Sequence, residues 1–191
     1  MERDEAGSDE AVLRQRIEFR AGLAIAAAVA LVLLCPLLMW ASTVQDLSRW
    51  GTAVVGVPVL ATLIATWGLT GWWIDSLRDW WGPHRWIHQR RSVANWLVPV
   101  VNVVAPPLEA GLVFDAAGRS EAWGRWWMRS WMAIVVVSVF RIRSAPWASG
   151  LAVMAAGALV LWLLISSMRS LRAEWRRRDA AAASAQRPAF G

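Results

Sequence analysis

The chain contains no lysine, no tyrosine and a single cysteine. Its net charge of +6 therefore rests on arginine alone. An all-arginine charge with abundant Ala, Val and Gly points to a GC-rich bacterial genome. Cys35 stands alone inside an apolar run, so no disulfide or cysteine-rich metal site forms within one chain. Charge is scarce, at 18% of residues against 57% hydrophobic, which confines polar material to short loops and tails. The most informative absence is local. Residues 21–45, 50–74 and 144–168, 25 residues each, hold no ionisable side chain. Transporters place such groups inside their spans, so proton-coupled transport is disfavoured. No nucleophile–base pair, glycine-rich phosphate loop or carboxylate pair occurs anywhere. No catalytic residue, cofactor or metal site is expected, and the chain does not read as an enzyme.

What is present is length and apolarity. About 20 helical residues cross the ~30 Å hydrocarbon core of a bilayer, and each uncharged run exceeds that. The sequence predicts an all-α, polytopic integral membrane bundle, its helices at about 21–45, 50–74, 92–114 (broken), 125–140 and 144–168. The first run is not expected to be a cleaved leader, because an acidic segment precedes it and Met39-Trp40-Ala41 is a poor cleavage site. Residues 1–20 read as a cytoplasmic segment, disordered over 1–10 and amphipathic beyond. Residues 169–191 read as a basic juxtamembrane helix and a disordered, low-complexity tail. Pro36 and Pro58 are expected to kink their helices without breaking them. Sixteen tryptophans, with Trp72, Trp73, Trp80, Trp81 and Trp86 clustered at one border, predict a heavy interfacial belt.

Arginine counting constrains the crossings. If all five apolar segments cross, ten arginines face each side. If 92–108 dips in and returns, seventeen lie inside and only Arg49, Arg141 and Arg143 outside. If 92–108 crosses and 125–140 does not, the split is fourteen to six. The positive-inside rule favours the second arrangement, with four crossings and both termini cytoplasmic. Arg129 then falls one turn into its helix, close enough to the end to snorkel.

Residues 92–108, SVANWLVPVVNVVAPPL, are the irregular segment. Pro99 interrupts a helix, Asn102 sits mid-run and Pro106-Pro107 ends it. Asn95-Trp96, the Pro99-Val-Val-Asn102 core, Pro106 and Gly124-Arg-Trp126-Trp127 carry a resemblance. Over 92–138 the chain resembles a bacterial membrane family, common in actinobacteria and catalogued as domain of unknown function 4328. The family's second helix commonly ends aromatic-Arg-x-x-x-Asn, where this chain has Trp72-Trp73-Ile-Asp75-Ser-Leu-Arg78. The resemblance implies architecture and no activity.

Pro99, Asn102, Pro106 and Glu109 are the candidate polar or helix-packing site. Unwound backbone at membrane depth leaves carbonyls free to line a small site, whereas a kinked helix uses Asn102 to bind a neighbour. Glu109 is expected at the membrane edge, capping a helix or paired with an arginine. His84 and His88 share a helical face, but Arg85 stands where a zinc protease needs Glu. Arg172, Arg176, Arg177 and Arg178 are expected to touch anionic lipid headgroups at ~1 kcal/mol each. The arginines flank membrane runs, so lipid and not nucleic acid is the expected partner, alongside a membrane protein or a second copy. The reading is a small interaction or assembly partner in the bacterial cytoplasmic membrane. The alternative is a channel or transporter subunit built on the broken segment.

Overall fold

A computed structural model describes residues 2–43, 49–81, 96, 105–141 and 146–185. Those residues are all-helical, with no strand among them. The helices are α1 (Glu2–Thr43), α2 (Arg49–Trp81), α3 (Ala105–Ala116), α4 (Glu121–Arg141) and α5 (Pro146–Ala185). Within α1, α2 and α5 lie the three stretches long and apolar enough to cross a membrane.

Two expectations about the ends are corrected. The helix already includes Glu2, and α5 runs to Ala185, so neither 1–10 nor the start of the tail is irregular where described. At 42 and 40 residues, α1 and α5 are each roughly 60 Å long, twice a bilayer core. Each carries a polar extension continuous with its apolar part. α1 runs through Pro36 and α2 through Pro58 without interruption.

α1 buries Ile17, Ala21, Ala24, Ala28, Leu31 and Cys35. That alternation of fours and threes is the heptad spacing of a helix packed along its length on its neighbours. The helix alongside it is α5, running the other way. Arg14 meets Asp179 and Glu18 meets Arg172 in the polar part, Leu31 meets Gly157 in the apolar part, and Met39 meets Gly150 at the far end. A Cβ at Gly157 would lie 3.1 Å from Leu31 Cδ2, and one at Gly150 would run into the Met39 side chain. The glycines thus let the two helices approach closely, the usual device where lipid supplies no hydrophobic drive between helices.

α2 returns antiparallel to α1. Arg20 Nη1 donates to Ser76 Oγ at 2.5 Å and to the Trp72 carbonyl at 3.3 Å. Its buried hydroxyls are satisfied within the helix itself. Thr66 Oγ1 donates to the Thr62 carbonyl at 2.7 Å and Thr70 Oγ1 to the Thr66 carbonyl at 2.6 Å, so neither brings an unpaired group into the core.

α3 and α4 form a tight antiparallel hairpin. Pro106 and Pro107 open α3 instead of ending the preceding segment, because a first-turn N–H has no helical partner to lose. Gly118, at φ 69°, closes α3 in a Schellman motif: Arg119 N–H reaches the Phe114 carbonyl and Gly118 N–H the Asp115 carbonyl, both at 2.9 Å. α4 then starts at Glu121, four residues earlier than expected, which puts Arg129 two turns inside the helix. The N-terminal half of α1, the end of α2, the α3–α4 turn and the C-terminal half of α5 all gather at one end of the bundle. Arg119 joins the turn to α5 there, with Nε donating to Ser170 Oγ at 3.2 Å.

The hairpin rests on a pair of glycines. A Cβ on Gly124 would sit 3.2 Å from the Gly111 Cα, a backbone atom that moves only if α3 moves, whereas a Cβ on Gly111 meets nothing within 4 Å. Gly124→Ala should therefore lower stability by about 1–2 kcal/mol. Gly111→Ala, gaining helix propensity, should be neutral or stabilising by up to ~1 kcal/mol. Thermal unfolding of both variants in detergent checks the contrast, and equal shifts would contradict it.

Candidate functional site

The interior of the hairpin end is built from indoles. Trp73 of α2, Trp96 and Trp127 of α4 are fully enclosed, and Trp131 is buried beside them. Trp127 and Trp131 stack at 5.3 Å with planes 9° apart, because residues four apart share a helix face. Trp131 in turn meets Trp67 of α2 at 6.4 Å and Trp96 at 6.2 Å, both tilted. This row links α2, residue 96 and α4 through ring contacts of the offset kind that aromatic quadrupoles favour. The interfacial belt expected for Trp73 is thereby corrected. Its ring packs into the core, while Trp40, Trp72, Trp123 and Trp126 stay exposed.

Against this row lies a carboxylate. Glu109 is 6% exposed, and it accepts a hydrogen bond from Trp96 Nε1 at 2.7 Å. α3 carries Glu109 into the protein interior, one turn after its first residue, beside the buried Pro106 and Ala110. A carboxyl group enters such a place only with donors, since leaving it unpaired costs several kcal/mol. The indole N–H, a donor with no competing acceptor function, suits that need. Among the described residues, the Nε1 atoms of Trp67 and Trp131 meet no acceptor.

Of the other expected site residues, Pro106 is buried at the start of α3, one turn from Glu109. Pro99 and Asn102 lie outside the described residues, as do His84 and His88. Trp96 enters the site although sequence reasoning took it only as part of a resemblance. Its signal was position, as the one tryptophan inside the irregular apolar segment.

The four tail arginines are brought together on the polar extension of α5, but not on equal terms. Arg172 Nε pairs with Glu18 at 2.8 Å, and Arg178 pairs with Glu174 and lies over the Trp80 ring at 5.4 Å. Arg177 donates to the Ala173 carbonyl at 3.3 Å, and Arg176 is exposed. The acidic start of the chain is thus the intramolecular counter-charge for part of the basic tail. Arg14 is the centre of this contact. It pairs with Glu10 at 2.6 Å and Asp179 at 3.0 Å, and its guanidinium lies 5.6 Å from the Trp80 ring and 5.5 Å from that of Trp175. Trp80 and Trp175 meet edge to face at 5.6 Å. Three helices, α1, α2 and α5, are joined there outside the apolar runs. The hydrogen bond from Arg14 holds the Asp179 carboxyl below the ordinary aspartate range.

No family model, curated protein or solved structure matches this chain.

Trp96→Phe should lower stability by about 1–3 kcal/mol, because it strips a charge-assisted donor from a buried carboxylate. In a Glu109→Gln background the same change should cost less. A double-mutant cycle in detergent should return a coupling of about 1 kcal/mol or more, and strict additivity would show that the contact carries no energy.

The lowered Asp179 value sets a pH dependence for the polar extensions. A depressed carboxyl contributes fully above its unfolded pKa of about 3.9 and loses that contribution as pH falls through the lower folded value. Hydrogen-exchange protection at 10–18 and 172–180 should therefore hold at pH 4 and drop below it. Asp179→Asn should remove that acid step.

Proposed function

We propose that this chain is a four-crossing protein of the bacterial cytoplasmic membrane, both termini cytoplasmic, acting as an interaction or assembly partner. The observation that carries the topology is the antiparallel pairing of α1 with α5 along their whole length, which sets the two termini at one end. Direction in α4 supports the number of crossings. Arg119, just before α4, reaches Ser170, and Trp127 Nε1 reaches the Leu159 carbonyl at 3.4 Å, so α4 leaves the terminal end antiparallel to α5. The end of α2 at Trp81 and the α3–α4 turn thus lie at the same end, which supports a re-entrant reading of 92–108. The seventeen-to-three arginine split assigns this end to the cytoplasm.

The filled centre of the bundle supports assembly over conduction. Enclosed, mutually stacked indoles are the packing of a solid core, in which specificity comes from shape and not from a water-lined path. Buried Glu109 favours the second reading, a channel or transporter subunit, because an ionisable group inside a membrane domain is costly to keep. Flux across liposomes containing the pure protein, abolished by Glu109→Gln, would establish that reading in place of the first. The likeness of 92–138 to domain of unknown function 4328 stays part of the proposal and brings no activity with it.

Single cysteines introduced through Gln89→Cys and Ala117→Cys, in a Cys35→Ser background, test the topology. Both should resist a membrane-impermeant maleimide in intact cells and react after lysis. Labelling at position 117 alone before lysis would mean that 92–108 crosses, and the four-crossing proposal would fall.

A further inference from the structure

α4 shows an outward face that its own chain does not explain. Its inward face, Gly124, Trp127 and Trp131, packs on α3 and the aromatic row. Opposite lie Ala122, Arg125, Arg129, Ala133 and Val136, all exposed, and at the border of this face Trp126 keeps one side open while its ring meets Trp162 of α5 at 5.2 Å. Arg125 is paired with Glu121 at 2.8 Å, one turn earlier. Arg129 makes no hydrogen bond or ion pair among the described residues.

The level of Arg129 makes this notable. It lies eight residues beyond Glu121, the first residue of α4 after the turn that marks the polar end of the bundle, roughly 12 Å of helix. A second helix gives the same depth. Trp127, half a turn before Arg129, bonds to the Leu159 carbonyl, three residues from the midpoint, residue 156, of the uncharged stretch 144–168, and the antiparallel course of α4 brings Arg129 nearer to that midpoint. Roughly 12 Å is close to half of the ~30 Å hydrocarbon core, well inside the end positions from which long side chains snorkel. A guanidinium at that level is expensive in lipid and needs a counter-charge. The residues outside the described set supply only Asp46 as a side-chain carboxylate, and in the sequence it falls between Thr43 and Arg49, the helix ends opposite the α3–α4 turn.

We infer that the outer face of α4 docks a transmembrane helix of another protein carrying an Asp or Glu near its centre, which pairs with Arg129. The surface suits a helix. Ala122 and Ala133 flank Arg129 without bulk and allow close approach. Exposed Trp126, Met128 and Met132 give the aromatic and thioether contacts typical of interface centres. A second copy fits less well. The carboxylate this chain exposes on the same face is Glu121, two turns from Arg129 and already paired with Arg125. The inference rests on the proposed membrane topology and names the chemistry of the partner.

The probe is a tryptophan-free leucine–alanine transmembrane peptide, dansyl-labelled, with Glu, Gln or Leu at its centre. Each is reconstituted in liposomes with the full-length protein, whose tryptophans act as energy-transfer donors. The Glu peptide should associate about tenfold more tightly than the Leu peptide, with Gln between them. Arg129→Gln should abolish the preference and Arg129→Lys should retain much of it. Equal association of all three peptides would overturn the inference. So would transfer between two differently labelled copies that Arg129→Gln abolishes, which would assign the face to self-association. A spin label introduced through Ala133→Cys in a Cys35→Ser background reports depth. A shallow label would sink the membrane topology along with the inference, and a deep label without peptide preference would sink the inference alone.

Discussion

The close antiparallel contact of α1 with α5 is the constraint on which the other elements depend. Inside the apolar region it needs the missing side chains of Gly150 and Gly157, against which Met39 and Leu31 lie. Outside it needs opposite charge, with Arg14 on Asp179 and Glu18 on Arg172. These exposed pairs are each worth little, about 0–1 kcal/mol, yet they share one register with the glycine contacts. Small residues set the distance between the helices and charges set their alignment. With the first and last helices joined, α2 packs on α1, and the α3–α4 hairpin closes against α5.

Tryptophan has two separate uses in this chain. Where an indole N–H meets a charged or carbonyl partner, the ring joins elements, as Trp96 does with Glu109 and Trp127 with the Leu159 carbonyl. Where a ring meets arginine, it sits at the polar end, as Trp72 does beneath Arg20 at 4.0 Å and Trp80 between Arg14 and Arg178. Burial by itself follows from size, since the buried Trp73 and Trp131 have an Nε1 that meets no acceptor among the described residues. An indole is the largest apolar side chain available, and it fills space between helices that glycine and alanine elsewhere bring close.

Much of this was legible before folding. Uncharged runs of 25 residues define spans by length alone. The alternating spacing from Ile17 to Cys35 also marks a packed face in the sequence. The candidate site was legible only in part. Pro106 and Glu109 stood out by residue type, but Glu109 reads as an edge residue until α3 is known to start at Ala105 and carry it inward. Trp96 is marked only by its position in the apolar segment, and nothing local points to Glu109, its partner thirteen residues on. For Arg129, four extra residues at the start of α4 place it two turns into the helix instead of one.

The all-helical class and the apolar runs follow from the chain's composition over a span-length window. Which tryptophans are core, that Glu109 is buried and which face of α4 Arg129 occupies come from the folded arrangement. Those outcomes depend on the register between helices far apart in the chain. A shift of one or two residues there rotates a side chain from lipid to core, and no local pattern records that choice.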